Sequence, residues 1–230
     1  MTKRIYAADD EANIRNLVEI FLKKEGYAVE TFETGDALLD AFRKNPSDLV
    51  ILDVMMPGLD GFAICATIRQ ISHVPIIMLT ARDSDTDYVS GIALGSDDYF
   101  TKPFSPMALV MRVKAIFRRI EMDKKEYTET NREIAFGDIT ININSKRVTC
   151  GSGVLDLTPN EYSLLTYLVE NKERAIPREE LLDKIWGYNS AVETRVADDT
   201  VKRLRKKIAD SVTVIETVWG YGFRLKDKTS

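Results

Sequence analysis

Acidic residues, a hydroxyl and a lysine lie where short apolar segments end in the first half of the chain. The residues concerned are Asp9, Asp10, Asp53, Thr80 and Lys102. Three carboxylates held together repel one another and raise each other's pKa unless a cation lies among them. Mg²⁺ binds through one or two carboxylates together with water and phosphate oxygens. The set therefore predicts a Mg²⁺-dependent site for phosphoryl transfer to a carboxylate.

In the first half of the chain, short apolar segments alternate with amphipathic helical patterns. These elements must fold so that the five residues come together. The predicted strands are residues 4–8, 28–32, 49–52, 76–80 and 98–101. Repeated strand–helix units predict an α/β fold with a doubly wound, five-stranded parallel sheet covered by helices on both faces. The carboxyl ends of such strands form the functional edge of the sheet, so the five polar residues are expected to converge there.

The alternation of apolar strands and amphipathic helices ends near residue 120. Residues 121–133 are almost without apolar side chains and are typical of a solvated linker. Alternating apolar residues then predict a small antiparallel sheet. Thr158 and Glu161 form a capping-box pattern at the start of a helix, and two more helices are expected near residues 178–185 and 195–208, before a terminal hairpin. The predicted organisation is a first domain over 1–120, a linker over 121–133 and an α+β domain over 134–230.

Charge is unevenly distributed along the chain, whose net charge is −4. Residues 134–230 contain 15 basic and 14 acidic residues, and five of the basic ones fall within residues 202–207. A local basic cluster on an amphipathic helix favours contact with DNA phosphates.

Two cysteines, one histidine and no long apolar segment argue against a disulfide framework, a zinc site or a membrane span, and predict a cytoplasmic protein.

The first half resembles the receiver domain of two-component response regulators. The resemblance rests on Ala8-Asp9-Asp10-Glu11, Leu52-Asp53-Val54-Met55-Met56-Pro57-Gly58, Leu79-Thr80-Ala81-Arg82 and Asp97-Asp98-Tyr99-Phe100-Thr101-Lys102-Pro103-Phe104. It implies a flavodoxin-like fold in which Asp53 accepts a phosphoryl group from a histidine kinase. Mg²⁺ would be held by Asp9, Asp10, Asp53 and the backbone carbonyl of Met55. Lys102, Thr80 and Tyr99 would respond to the phosphoryl group and switch the conformation.

The second half resembles the winged-helix effector domain of the OmpR/PhoB family. The matching segments are Leu157-Thr158-Pro159-Asn160-Glu161-Tyr162, Arg178-Glu179-Glu180-Leu181-Leu182, Ile185-Trp186-Gly187-Tyr188 and Thr217-Val218-Trp219-Gly220-Tyr221-Gly222-Phe223. The resemblance implies a recognition helix over residues 195–208 and a wing near the end of the chain. The DNA contacts expected from it are Arg195, Thr200, Lys202, Arg203, Lys206, Thr217 and Trp219.

The same resemblance implies an active homodimer that pairs through the last strand and the last two helices of the receiver. The residues expected at this interface are Tyr88, Asp97, Asp98, Arg112 and Arg118. Tyr88 and Ala108 stand where family members usually have a basic and an acidic residue, so at least one ion pair is expected to be lost. The expected partners are a histidine kinase, double-stranded DNA, a second copy of the chain and RNA polymerase.

The function predicted from the sequence is that of a phosphorylation-dependent transcriptional regulator that binds tandem DNA half-sites and is not an enzyme. One alternative is a phosphatase-type enzyme that uses Asp53 as a transient nucleophile, but Met55 stands where such enzymes carry a second acid. A second is a regulator that dimerises without phosphorylation. A third is a module that binds only proteins, which the basic cluster at 202–207 disfavours.

Overall fold

A computed structural model describes residues 2–81, 96–125, 132–188 and 196–228. The chain divides into two compact units, Met1–Lys114 and Ala115–Ser230. None of the described helices is long and apolar enough to cross a bilayer.

The first unit contains a five-stranded parallel sheet in the order β2-β1-β3-β4-β5. Its strands are β1 (Arg4–Ala8), β2 (Ala28–Phe32), β3 (Leu49–Asp53), β4 (Ile76–Ala81) and β5 (Asp98–Lys102). The helices are α1 (Ala12–Lys24), α2 (Gly35–Lys44), α3 (Gly61–Arg69) and α4 (Pro106–Lys125), the last of which continues across the boundary between the units. The predicted fold class is confirmed, with each of the five strands at its predicted place.

Burial on both faces explains why the central strand, β3, is apolar up to its last residue. Every residue of β3 is buried, and Leu49, Val50, Ile51 and Leu52 are fully inaccessible to solvent. A strand covered on both faces can carry a polar side chain only where it ends, and β3 ends at Asp53. The fold thus places this carboxylate at the functional edge of the sheet.

The second unit has a winged-helix fold. A four-stranded antiparallel sheet contains β6 (Glu133–Phe136), β7 (Ile139–Asn142), β8 (Arg147–Cys150) and β9 (Gly153–Leu155). The helices are α5 (Pro159–Glu170), α6 (Arg178–Leu181), which continues as a π-helical turn over Leu182–Trp186, and α7 (Val196–Lys207). A three-stranded sheet joins β10 (Ile176–Pro177) to the terminal hairpin of β11 (Thr213–Val218) and β12 (Gly222–Asp227).

The capping box predicted at the start of α5 is confirmed. The Thr158 hydroxyl accepts from the Glu161 backbone N–H, and the Glu161 carboxylate accepts from the Thr158 backbone N–H at 3.0 Å. Apolar residues of α5 and α7 pack in one core with the two sheets. Among them are Leu164, Leu168, Val201 and Leu204.

Candidate functional site

Three carboxylates meet at the carboxyl edge of the parallel sheet. Oxygens of Asp9, Asp10 and Asp53 lie within 4.8 Å of one another, with Asp9 and Asp53 buried and Asp10 exposed. The Asp9 carboxylate accepts from the Glu11 backbone N–H at 3.0 Å. The Arg15 guanidinium donates to the backbone carbonyls of Asp9 and Asp10 at 2.7 and 2.8 Å, which holds the acidic loop at the start of α1.

The backbone that follows β3 is held close to the start of α3. A Cβ at Gly61 would lie 2.1 Å from the Asp53 carbonyl oxygen, so a side chain at this position would displace the backbone. Asp60 caps α3 by accepting from the Ala63 backbone N–H at 2.7 Å. Glycine at position 61 therefore lets α3 begin directly against the strand that carries Asp53.

Lys102 is a basic group in contact with the carboxylates of the acidic pocket. Its Nζ lies 2.9 Å from Asp9 Oδ2, 3.2 Å from Asp53 Oδ1 and 3.2 Å from Glu11 Oε1. Burial alone would lower the pKa of Lys102, but the hydrogen bond to Asp9 and the charge of Asp53 raise it above its ordinary value. Lys102 therefore remains an ammonium ion. The contact with Glu11 was not predicted, because Glu11 had no assigned role in the sequence pattern.

Within the part of the chain that the structure describes, the single ammonium ion of Lys102 does not balance the negative charge of the pocket carboxylates. Burial, followed by the charge of Asp9, raises the pKa of Asp53 to about 6 in spite of Lys102. Burial likewise raises the pKa of Asp9. Three converging carboxylates, with one ammonium ion beside them among the described residues, fit a hard divalent cation with oxygen ligands, such as Mg²⁺.

The other predicted residues of this site have distinct positions. Thr80 is buried and lies one residue beyond Leu79, which pairs with Asp53 in the sheet. Tyr99 is half-buried against the apolar cluster of the sheet, and its hydroxyl accepts a hydrogen bond from Ser96. The Met55 side chain is 63% exposed, and only the backbone carbonyl of this residue is expected to bind Mg²⁺.

Among the predicted dimer-interface residues that the structure describes, three are buried in the first unit: Asp97, Asp98 and Arg112. Asp97 is buried, lies 2.7 Å from Arg69 and accepts from the Ile76 backbone N–H at 3.0 Å. Asp98 is also buried and pairs with Arg112 at 2.5 Å. These groups are used inside the unit. Arg118 is exposed, and Tyr88 lies outside the described residues.

The second unit presents part of α7 as a basic surface. Lys202 and Lys206 are exposed, as expected for residues that reach DNA. Asp198, which would oppose phosphates, instead pairs with Arg178 through Nε at 3.0 Å and Nη2 at 2.9 Å. Its negative charge is thereby balanced within the unit.

Two of the predicted DNA contacts are internal residues, and the expectation is corrected here. Thr200 is fully buried, and its hydroxyl donates to the Val196 carbonyl at 2.8 Å. Arg203 is 7% exposed and donates to Glu161 at 3.0 Å and to the Thr200 hydroxyl at 3.1 Å. Arg195 lies outside the described residues.

The terminal hairpin is joined to α7 by Arg205, a residue for which the sequence predicts no role. Arg205 donates to the Ile215 carbonyl and to the Thr217 hydroxyl, both at 2.8 Å. Thr217 is half-buried in this contact, whereas Trp219 at the hairpin tip is 93% exposed.

A doubly wound unit with an acidic pocket, followed by a winged helix with a basic recognition helix, defines the class of DNA-binding response regulators.

Comparison with known proteins agrees with this class. Residues 5–114 match the response regulator receiver domain, and residues 152–225 match the C-terminal domain of transcriptional regulatory proteins. The chain is 41% identical to the uncharacterized transcriptional regulatory protein YclJ of Bacillus subtilis, over 97% of this chain and 99% of that protein. It is 38% identical to ResD of the same species, over 97% and 95% of the two chains. The Regulatory protein VanR of Enterococcus faecium is also 38% identical, over 98% and 100%.

Solved structures give the same architecture. A cysteine-to-serine mutant of RitR is similar with a TM-score of 0.77 and 25% identity, over 98% of this chain and 99% of the other. The response regulator DrrB of Thermotoga maritima, an OmpR/PhoB homolog, has a TM-score of 0.52 and 32% identity, over 98% and 100% of the two chains. The chain belongs to the OmpR/PhoB-type response regulators of two-component systems.

Proposed function

We propose that this chain is a cytoplasmic transcriptional regulator switched by phosphorylation of Asp53. The observation that carries the proposal is the buried Asp53 carboxylate, with Lys102 Nζ 3.2 Å away and two further carboxylates beside it. The domains are taken as a receiver over 1–120, a linker over 121–133 and a winged-helix domain over 134–230. The chain then acts as a phosphoryl acceptor and DNA-binding protein and not as a turnover enzyme.

In the proposed transfer, an Asp53 carboxylate oxygen attacks the phosphorus of a kinase phosphohistidine. The new bond is the P–O bond of an acyl phosphate, the P–N bond breaks, and the histidine nitrogen is released. Asp9, Asp10 and the Met55 carbonyl, together with Asp53, would hold Mg²⁺, which when bound supplies positive charge near the phosphoryl oxygens.

The residues around Asp53 would respond to the new group. Lys102 is already close enough to exchange its contact with Asp53 for one with a phosphoryl oxygen. The Thr80 hydroxyl would donate to another oxygen, and Tyr99 would move further inward behind it. These changes would shift the receiver between two packings and favour dimerisation on tandem DNA half-sites. The proposed partners are a histidine kinase, duplex DNA, a second copy of the chain and RNA polymerase.

The first experiment compares the wild type with Asp53→Ala, each with and without beryllofluoride and Mg²⁺. Beryllofluoride mimics the phosphoryl group on a carboxylate, so it should convert the wild type from monomer to dimer and tighten DNA binding, with no effect on Asp53→Ala. Light scattering and fluorescence anisotropy with a duplex selected by the wild type from a random pool report the two properties. Identical behaviour of all four samples would instead support a regulator that ignores phosphorylation.

We also expect the exposed lysines of α7 to contribute through DNA phosphates. Lys202→Ala should weaken binding to all duplexes to a similar degree, and it should reduce the slope of log affinity against log salt by about 1. Salt titrations by fluorescence anisotropy measure both effects. Lys172→Ala removes an exposed lysine of the segment after α5, outside the proposed surface, and should leave the slope unchanged. Equal effects of the two variants would contradict the assignment of Lys202.

A further inference from the structure

A cleft of about 190 Å³ opens in the second unit. Its walls include the helix α5, the turn between β7 and β8, and the π-helical turn that follows α6. All the residues that line it fall within Ala115–Ser230, so the cleft belongs to this unit by itself. It is smaller than the roughly 300 Å³ at which ordinary ligand pockets begin, so its occupant must also be small.

Positive charge exceeds negative charge among the described residues that line this cleft. The basic residues are Arg119, Arg132, Lys146 and Lys184, and the acidic residue is Glu170. Arg132 lies 3.1 Å from Glu170, and these two charges offset each other. The Lys184 ammonium lies 3.2 Å from Asp183, but both side chains are about half exposed, so this pair exchanges readily for a ligand. The excess of basic groups attracts an anion.

The basic groups approach the cleft from different elements. Arg119 is half-buried and donates to the Ile185 carbonyl, which fixes its guanidinium beside the π-helical turn. The Lys146 ammonium lies 5.6 Å from the centre of the Tyr162 ring. Lys146 and Lys184 are exposed and stand on separate walls. A held guanidinium together with ammonium groups on two other elements suits a tetrahedral anion, which accepts hydrogen bonds from several directions.

The rest of the lining offers apolar surface and a hydroxyl. Ile143, Ile185 and the ring of Tyr162 provide carbon surface for the body of a ligand. Thr166 Oγ1 is buried and has no hydrogen-bond partner among the described residues. A buried hydroxyl of this kind is normally satisfied by water or by a bound group. The cleft therefore fits a ligand that joins an anionic group to a short carbon portion.

We propose that this cleft binds a small phosphate monoester. Its phosphate, which carries a charge of about −1.5 to −2 at pH 7, is held by Lys146 and Lys184, with Arg119 beneath it. Its carbon portion packs on Ile143 and Ile185. A ligand that binds only the folded state stabilises it, so a phosphorylated metabolite would strengthen the winged-helix unit. The inference requires neither phosphorylation of Asp53 nor DNA binding, so it is tested separately from the proposed function.

The test is calorimetric titration of the full chain in metal-free buffer, with phenyl phosphate as the probe. Phenyl phosphate should bind, inorganic phosphate should bind more weakly, and phenol should give no heat of binding. Lys184→Gln and Lys146→Asn should each weaken the binding of phenyl phosphate by at least about fivefold. Asparagine replaces Lys146 because this residue has a φ of +54°, which asparagine adopts more readily than most residues.

The matched control is Lys172→Ala, which removes an exposed lysine outside the cleft and should leave the affinity unchanged. Hydrogen exchange analysed by mass spectrometry locates the site, because phenyl phosphate should protect α5 and Leu182–Trp186 but not the recognition helix α7. Absence of binding heat, protection confined to α7, or equal losses for Lys184→Gln and Lys172→Ala would overturn the proposal. Equal affinities for phenyl phosphate and inorganic phosphate would overturn the packing of a carbon portion on the two isoleucines.

Discussion

Glu161→Gln should destabilise the second unit by about 3 kcal/mol or more. The Glu161 carboxylate is 1% exposed and accepts from Arg203 at 3.0 Å, Lys207 at 2.7 Å and the Thr158 backbone N–H at 3.0 Å. Removing its charge takes away the carboxylate that lies 3.0 Å from the buried Arg203 guanidinium, and loss of one partner of a buried ion pair typically costs about 3–5 kcal/mol. Urea unfolding of the full chain, followed by the fluorescence of the buried Trp186, measures the loss.

A surface ion pair of the same unit provides the control. Glu216 lies 2.6 Å from Arg224, but their side chains are 35% and 48% exposed. Because exposed pairs contribute little, Glu216→Gln should cost less than about 1 kcal/mol. Equal losses for the two variants would mean that burial of Arg203 does not determine the stability of this unit.

The pKa of Glu161 adds a pH dependence to the same contact. Burial alone would raise this pKa, but the hydrogen bond and charge of Lys207 and the charge of Arg203 hold it below the ordinary value of 4.5. The carboxylate therefore stabilises the fold fully above that value, and the stabilisation is lost as the pH falls through the lower pKa of the folded state. The difference between wild type and Glu161→Gln should shrink correspondingly in acid.

The fold and the acidic pocket could be predicted because both follow from local pattern. Continuous apolar segments such as 49–52 indicate strands buried on both faces, and polar residues at their ends must converge on one edge. Asp9, Asp10 and Asp53 are therefore predicted to lie together, and the structure brings their oxygens within 4.8 Å of one another.

The burial of Thr200 and Arg203 could not be predicted from the helix alone. Spacing assigns residues to a face, but it does not reveal that Glu161 of another helix supplies a buried counter-charge for Arg203. The capping pattern predicts the hydrogen bond between the Glu161 carboxylate and the Thr158 backbone N–H. It does not indicate that the same carboxylate also forms an ion pair with Arg203. A buried basic residue within a basic segment has the same sequence signal as one that contacts DNA.

A similar ambiguity affected Asp97 and Asp98. Acidic residues at the start of a strand are expected on the surface, yet Arg69 of α3 and Arg112 of α4 hold these two inside. Both partners are distant in sequence, and neither pairing follows from helical or strand periodicity. The dimer surface that we propose must therefore depend on other exposed groups or on exchange of these internal pairs.

The acidic pocket should destabilise the receiver at neutral pH when no metal is bound, and Asp53→Asn should relieve that effect. The pKa of Asp53 is raised from 3.8 to about 6, chiefly by burial and then by the charge of Asp9. A raised carboxyl pKa means that stability decreases as the pH rises from about 4 to about 6. The penalty is absent below the lower value and fully present above the higher one. A shift of this size corresponds to roughly 3 kcal/mol.

Asp53→Asn should consequently be more stable than the wild type at pH 7.5, by up to about 3 kcal/mol, and no more stable near pH 4. Lys102 keeps Asp9 at 2.9 Å as its partner in the variant, so the substitution does not leave it unpaired. Hydrogen exchange of β3 amides in the full chain, analysed by mass spectrometry at the two pH values, measures the difference. Asp40→Asn, which changes an exposed carboxylate of α2, should have no effect at either pH.

Mg²⁺ distinguishes electrostatic repulsion from a simple packing effect. A ligand that binds only the folded state stabilises it, so millimolar Mg²⁺ should raise the protection of β3 in the wild type and reduce or abolish the advantage of Asp53→Asn. A variant less stable than the wild type at pH 7.5 without metal would mean that the contact between Asp53 and Lys102 outweighs burial. In that case the pocket would be balanced by its lysine, and its carboxylates would not by themselves demand a divalent cation.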